Sequence, residues 1–239
     1  MGVKIVDNLD QLYKEAADQF VDFAKKGIQE KGKFVVALSG GSSPKAIFKL
    51  LATKDYAEQI DWKNIYFFWV DERWVPLDDE KSNAKMTFET LLDKVPVNKD
   101  QIFPMFKEGI SPEDFAAEYE NAIRNVLGDE GCFDLILLGM GDDGHTASLF
   151  PGEKILHENK KWVDAYYLAS QNMYRITLTA PIINKAENVL VITFGESKKH
   201  ALNEVLNGDY NPELYPLQLI KPEKGELQFL TDSETMKSV

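Results

Sequence analysis

One stretch, residues 133–152 with the sequence FDLILLGMGDDGHTASLFPG, limits the folds open to this chain more than any other. Its apolar run, residues 135–138, has the length of one buried strand. Three glycines follow the run: Gly139, Gly141 and Gly144. Glycine lets the backbone turn with positive φ and come close to a ligand. The pattern therefore predicts that His145 lies just beyond the carboxyl end of a central strand, where open α/β sheets bind their ligands.

A second apolar run, residues 34–38, ends in the loop SGGSSP and leads into a predicted helix. A Gly/Ser loop between a strand and a helix offers free backbone N–H groups and a positive helix end to a phosphate. The loop matches neither a Walker loop nor a dinucleotide fingerprint. Gly40, Gly41 and Ser42 are candidate anion-binding residues; the alternative is a tight turn that only requires small residues.

Two more apolar runs lead into charged residues. Residues 65–70 are followed by the triplet DER, and residues 189–194 are followed by a segment that contains Lys198. These charges either lie in solvated loops or face a ligand. Because the carboxyl ends of parallel strands share one edge of a sheet, we expect them to meet the glycine loops there.

Helical spacing of apolar residues alternates with these runs. Helices are predicted at residues 9–28, 44–53, 82–92, 111–127 and 181–185, with a last one that ends near residue 206. Further strands are predicted at residues 162–168 and 175–179, and an edge strand at 227–230. This alternation predicts an α/β fold whose mainly parallel sheet is covered by helices on both faces. Nothing divides the chain, so we expect a single domain over residues 1–239.

Composition excludes several classes of partner. The formal charge of −12 argues against a protein that coats nucleic acid or an anionic membrane. The single cysteine, Cys132, cannot form an internal disulfide, which fits a reducing compartment. The chain has no apolar run of membrane-spanning length and no signal-peptide pattern. We expect a cytoplasmic protein, and its acidic surface favours a monomer.

His145 is the best candidate for acid–base chemistry, because imidazole titrates near neutral pH. The alternative is a histidine that caps a helix or fills a turn. The three histidines and one cysteine lack zinc-site spacing, and Asp142-Asp143 lacks the ligand period of a calcium loop, so no metal is expected. No G-x-S-x-G elbow occurs, which favours direct activation of water over a nucleophilic serine.

Basic side chains near the predicted sheet edge suit a phosphate. Arginine can bind phosphate through two parallel hydrogen bonds and lysine acts as a point charge. The candidates are Arg73, Arg175 and Lys198. With the glycine loops and His145 they predict a pocket for a small phosphorylated molecule handled by acid–base chemistry.

Over nearly its whole length the chain resembles the 6-phosphogluconolactonase family. The resemblance rests on five segments in the family's order and spacing: ALSGGSSPKAIFKLL, FFWVDERWVPLDDEKSN, FDLILLGMGDDGHTASLFPG, RITLTAPIIN and GESKK. It implies a doubly wound, Rossmann-like parallel sheet and no cofactor. It also implies hydrolysis of the phosphorylated sugar lactone that the first step of the pentose phosphate pathway produces.

The resemblance also implies a role for each candidate residue. His145 would be the general base that activates water, with Asp71 and Arg73 completing the catalytic set. The substrate and its phosphate would be bound by Gly40, Gly41, Ser42, Arg73, Arg175 and Lys198. The turn that aims the histidine would be shaped by Gly141, Asp143 and Gly144. The expected partner is a small phosphorylated sugar lactone, not a nucleic acid or a membrane.

Two other interpretations stay open. The related glucosamine-6-phosphate deaminases resemble this chain in fold and loops, but they carry an aromatic residue where it has Arg73. They also carry Asn-Glu-Pro where it has Leu149-Phe150-Pro151. The missing glutamate belongs to the deaminase acid–base relay, so Phe150 favours the lactonase. The third interpretation is a non-catalytic sugar-phosphate sensor, which loss of the histidine or arginines would indicate; none is lost.

Overall fold

The structure is a computed structural model that describes residues 1–237. The strands are β1 (Gly2–Val6), β2 (Phe34–Leu38), β3 (Ile65–Trp69), β4 (Asp71–Arg73), β5 (Leu135–Gly139), β6 (Val163–Leu168), β7 (Met173–Leu178), β8 (Asn188–Ile192) and β9 (Glu226–Asp232). The helices are α1 (Leu9–Lys31), α2 (Ser42–Leu51), α3 (Lys54–Ala57), α4 (Asn83–Thr87), α5 (Pro112–Leu127), α6 (Ala180–Ile183), α7 (Lys199–Asn207) and α8 (Ser233–Met236). No helix within this described range is long and apolar enough to cross a membrane.

Six strands form a parallel sheet in the order β1-β9-β8-β5-β2-β3. From β2 the chain adds β3 on one side, whereas β5, β8 and β9 extend the sheet on the other side. The winding direction therefore reverses between β2 and β5, as it does in doubly wound α/β folds. Helices flank this sheet, so the predicted fold class is confirmed.

A second, antiparallel sheet was not predicted. Its order is β4-β7-β6, and Arg73 lies opposite Arg175 across the β4–β7 pair. The sequence predicts strands near β6 and β7 but not their separation from the main sheet. β4 consists of three charged residues, so apolar periodicity cannot reveal it. It forms because β7 supplies backbone hydrogen-bond partners.

The edge of the main sheet also differs from the prediction. The expectation that residues 227–230 form an edge strand is wrong, because β9 lies between β1 and β8. β1 is the edge strand on that side of the sheet, and its mostly exposed side chains carry no buried pattern that would predict it. The predicted helix at residues 82–92 is α-helical only over α4 and continues as a π-helical turn over Phe88–Leu92.

Glu72 ties α4 to the small sheet. Its side chain is fully buried. The carboxylate accepts hydrogen bonds from the N–H groups of Arg73, Asn83 and Ala84 at 2.8–2.9 Å and from the Ser82 hydroxyl at 3.0 Å. Because side chains alternate along a strand, Glu72 points away from the face that carries Asp71 and Arg73. Glu72 therefore holds backbone in place and does not face a ligand.

Replacing Glu72 with alanine should lower the free energy of unfolding by about 3 kcal/mol or more, because three buried donors and one partly buried donor lose their acceptor. Chemical denaturation measures this change. Glu80→Gln is the matched control, since the side chain of Glu80 is 90% exposed; it should change stability by less than about 0.5 kcal/mol. Equal, small effects for the two variants would contradict this role.

Candidate active site

A cleft of about 210 Å³ lies at the carboxyl ends of β2 and β5. The predicted site residues that line it are Gly40, Gly41, Asp71, Arg73, Gly141, His145, Arg175 and Lys198. Asp143 and Gly144 lie in the turn behind His145. Ser42 starts α2 and is exposed, and it does not line the cleft. The fold thus brings together groups that are up to 158 positions apart in the chain, from Gly40 to Lys198.

Asp143 holds the imidazole of His145 by its edge. Asp143 Oδ1 lies 2.5 Å from His145 Nδ1 and accepts the backbone N–H of His145 at 3.1 Å. The contact with a carboxylate favours a proton on Nδ1 and leaves Nε2 as the basic nitrogen. Burial alone would raise the pKa of Asp143, but the hydrogen bonds from His145 outweigh it and lower that pKa. The carboxyl group is therefore ionised at neutral pH.

Two further contacts fix the ring of His145. Phe150 stacks on it with 4.1 Å between ring centroids and 23° between planes. A Cβ at Gly141 would lie 2.0 Å from His145 Nδ1, so the imidazole occupies the space that a side chain there would need. Gly144 has φ of 77° and lies against Tyr215. The turn therefore requires glycine at both positions to keep the imidazole where it is.

Asp71 is buried and held by two polar neighbours. The Ser148 hydroxyl donates to Asp71 Oδ2 at 2.7 Å. Asn83 Nδ2 donates to the backbone oxygen of Asp71 at 3.0 Å. Asn83 also lies directly over Gly40, where a Cβ would come within 1.8 Å of its Oδ1. The SGG loop can therefore approach Asp71 only because position 40 has no side chain.

Arg73 and Arg175 both reach the cleft from the small sheet. Arg175 is only 4% exposed, yet its Nε and Nη1 have no hydrogen-bond partner among residues 1–237, and the same holds for Arg73 Nε. Burial lowers the pKa of Arg175; Asp71 opposes this shift and Arg73 adds to it. The guanidinium nevertheless stays charged. Because a buried unpaired cation is unfavourable, this arrangement suits a site that receives an anion.

Lys198 reaches the cleft from the short 3₁₀ turn Glu196–Lys198, which precedes α7. Its ammonium group forms an ion pair with Asp142 in the histidine turn. This contact lowers the pKa of the Asp142 carboxyl. An ammonium has three donors, so Lys198 can contact Asp142 and an incoming anion together.

Sequence reasoning missed Ser39, Asn83 and Ser148. Ser39 lines the cleft beside Gly40, while Asn83 and Ser148 hold Asp71. All three are buried polar residues. In the sequence each of them is only a polar residue near an apolar run, which does not indicate a role in a site. Asn83 also falls at the start of a predicted helix, which already accounts for it. Within residues 1–237 no group of three or more His, Cys, Asp or Glu side chains is placed to hold a metal ion.

The fold and the cleft define a doubly wound α/β protein that has a carboxylate-held histidine and three cationic side chains in one cleft, where the winding reverses. The family model for "Glucosamine-6-phosphate isomerases/6-phosphogluconolactonase" matches residues 7–229. The chain therefore belongs to the glucosamine-6-phosphate isomerase/6-phosphogluconolactonase family.

The similar proteins include two that are named 6-phosphogluconolactonase and one neighbour in fold that has another name. The 6-phosphogluconolactonase of Synechocystis is 39% identical over 213 residues, which are 87% of this chain and 86% of that protein. The solved structure of 6-phosphogluconolactonase from Trypanosoma brucei matches with a TM-score of 0.86 and 26% identity, over 100% of this chain and 98% of that one. A monomeric glucosamine-6-phosphate deaminase matches over the full length of both chains with a TM-score of 0.86 but only 22% identity, and so shows the fold alone.

Replacing Arg175 with methionine should stabilise the free protein by about 1 kcal/mol, because it removes a buried unpaired cation, and raise Tm by about 3 °C. It should also reduce the stabilisation that inorganic phosphate produces in the wild type. Thermal unfolding with and without phosphate measures both effects. Arg124→Met is the control. Arg124 lies outside the cleft, and its Nη2 is 2.7 Å from Glu120 Oε1. This substitution should leave the stabilisation by phosphate unchanged. A destabilised Arg175→Met with a full phosphate effect would contradict the anion site.

Proposed function

We propose that this protein hydrolyses 6-phospho-D-glucono-1,5-lactone to 6-phospho-D-gluconate in the oxidative branch of the pentose phosphate pathway. One observation carries the proposal: a histidine held by a carboxylate lines the same cleft as a buried arginine with unpaired N–H groups. The first group suits activation of water and the second suits a phosphate. The names of relatives such as the Synechocystis protein support the same substrate.

His145 acts as the general base in this mechanism. Nε2 takes a proton from water while the water oxygen attacks the lactone carbonyl carbon, which gives a tetrahedral oxyanion. The oxyanion then collapses, the ring C–O bond breaks, and the imidazolium returns its proton to the leaving ring oxygen. The carboxylic acid product ionises and releases one proton to solvent. Asp143 stabilises the imidazolium that forms between the two steps, because its carboxylate accepts the hydrogen bond from Nδ1.

The other cleft residues bind substrate and stabilise charge. Arg73, Arg175 and Lys198 bind the phosphate and neighbouring substrate oxygens, because they are the cations that line the cleft. Gly40 and Gly41 present backbone groups there. Ser42 lies outside the cleft lining, at the amino end of α2, and would contribute through its N–H group or hydroxyl only to a substrate that extends past Gly41. Asp71 orients the reacting groups from its fixed position beside the arginines. The developing oxyanion needs a donor, and the arginines and loop N–H groups are within the cleft to supply one.

Phe150 favours this reaction over deamination of an amino-sugar phosphate. Its ring stacks on the ring of His145. The deaminases that this chain resembles carry a glutamate at the position of Phe150. A phenyl ring has no proton to exchange, so that step of a deaminase relay has no counterpart here. Lactone hydrolysis needs only water and an acid–base group, so the reaction proceeds without a cofactor or metal.

The proposal includes the setting in which the enzyme works. The protein acts in the cytoplasm on a small phosphorylated lactone. Its acidic charge favours a monomer and disfavours nucleic acid and anionic membranes as partners. Residues 1–239 act as a single domain. The support for this last point is one continuous cluster of buried apolar side chains that extends from α1 to β9.

The experiment that tests the function is base consumption at constant neutral pH. Freshly made 6-phosphogluconolactone should be hydrolysed far above the blank, with chelator present or absent, while unphosphorylated gluconolactone should be hydrolysed much more slowly. Deamination of glucosamine 6-phosphate should be undetectable. Lactone hydrolysis at the blank rate would exclude the proposed function. Activity on glucosamine 6-phosphate would favour the deaminase. Phosphate binding without either activity would favour the sensor.

Replacing His145 with alanine should lower kcat by about 10²–10⁴-fold with a much smaller change in KM, because the base is lost and the phosphate contacts are kept. Asp143→Asn should lower kcat as well, since an amide can present a donor to Nδ1 and so favour the wrong tautomer. His157→Ala is the control, as the side chain of His157 is 69% exposed and lies outside the cleft. Undiminished turnover by the His145 variant would exclude this residue as the base.

A further inference from the structure

Residues 211–218, which we call the brace, connect the loop that carries His145 with the helix that follows Lys198. The sequence marks this region only as irregular, with prolines at positions 212 and 216. The brace is nevertheless well tied to itself: Asn211 accepts the backbone N–H of Tyr215 at 3.0 Å and donates its own N–H to Gln218 Oε1 at 2.6 Å. These internal hydrogen bonds fix the shape of the brace, so a contact at one end of it also constrains the other end.

The first neighbour of the brace is the loop that carries His145. The N–H of Leu217 donates to Gly144 O at 3.0 Å, and the N–H of Gly152 donates to Glu213 O at 3.0 Å. The Tyr215 ring covers Gly144 so closely that a Cβ there would lie 3.0 Å from the ring and 3.2 Å from Tyr215 Cα. The brace thus holds the loop at Gly144, just before His145, and at Gly152, seven residues after it.

The second neighbour is α7. The Tyr215 hydroxyl lies 3.1 Å from His200 Nε2, two residues beyond Lys198. Gln218 Nε2 donates to Glu204 O at 2.8 Å, farther along the same helix. α7 is therefore held at two points, and the side chain of Tyr215 contacts both this helix and the turn before His145.

We infer that Tyr215 is a positioning residue that sets the distance between the phosphate-binding Lys198 and the base His145. This inference rests on the proposed function. The hydroxyl of Tyr215 holds the start of α7, and hence Lys198, while its ring holds Gly144, and hence His145. The two halves of this role are chemically separable, because phenylalanine keeps the ring and removes only the hydroxyl.

The test compares Tyr215→Phe, Tyr215→Ala and His200→Ala with the control Tyr210→Phe, which removes a hydroxyl from a side chain that is 61% exposed. Tyr215→Phe should raise KM for the phosphorylated lactone about fivefold, the effect of one lost hydrogen bond, with kcat within about twofold. Inhibition by inorganic phosphate should weaken by the same factor. His200→Ala should raise KM by the same factor as Tyr215→Phe. The double variant Tyr215→Phe/His200→Ala should show no further increase, because both substitutions remove the same contact. Tyr215→Ala should also lower kcat.

Two results would overturn the inference: a Tyr215→Phe variant equal to Tyr210→Phe, or one whose kcat falls while KM and phosphate inhibition stay unchanged. Calorimetric binding of 6-phosphogluconate keeps this test separate from the proposed function. If the wild type does not turn over the lactone, the function fails, while a weaker affinity for 6-phosphogluconate in Tyr215→Phe than in Tyr210→Phe still supports the brace. Equal affinities in the two variants would count against it in either case.

Discussion

The short pairing between β2 and β5 is the constraint on which the cleft depends. β2 pairs with β3 over five residues but with β5 over only two, Val36 with Leu135 and Ala37 with Ile136. Beyond Ala37 the two strands separate, and the glycine loops that follow them line the opening. Strands paired to their ends would close this space. The cations and the imidazole meet because the chain reverses its winding where the sheet parts.

Local sequence patterns predict much of the fold around the cleft. The buried runs of β2, β5 and β8 and the glycines after them predict the sheet edge at which the cleft lies. The cap of α5 is equally local: Ser111 accepts the N–H of Asp114, and Gly128 ends the helix. His145 and Lys198 could be chosen as candidates because they follow glycine-containing loops after β5 and β8, whereas Arg73 and Arg175 lie within β4 and β7.

The rest depends on contacts between distant segments, which periodicity does not encode. β4 is a strand because β7 lies beside it, and Asn83 matters because it lies over Gly40. Ser148 gains its role from Asp71, 77 positions away in the chain. In the sequence, Glu72 is as plausible a ligand-binding residue as Asp71. The structure distinguishes them because their side chains lie on opposite faces of β4: Asp71 lines the cleft and Glu72 binds buried backbone groups.

The unpaired guanidinium of Arg175 would make the stability of this protein depend on the anions around it, if the cleft binds an anion as proposed. A group that is buried without a partner leaves the free fold less stable than it could be, and any anion that satisfies it adds to stability by mass action. The fraction of unfolded chains open to proteolysis therefore falls as occupancy of the cleft rises. Under the proposed function, substrate bound in the cleft would therefore also protect the protein against proteolysis.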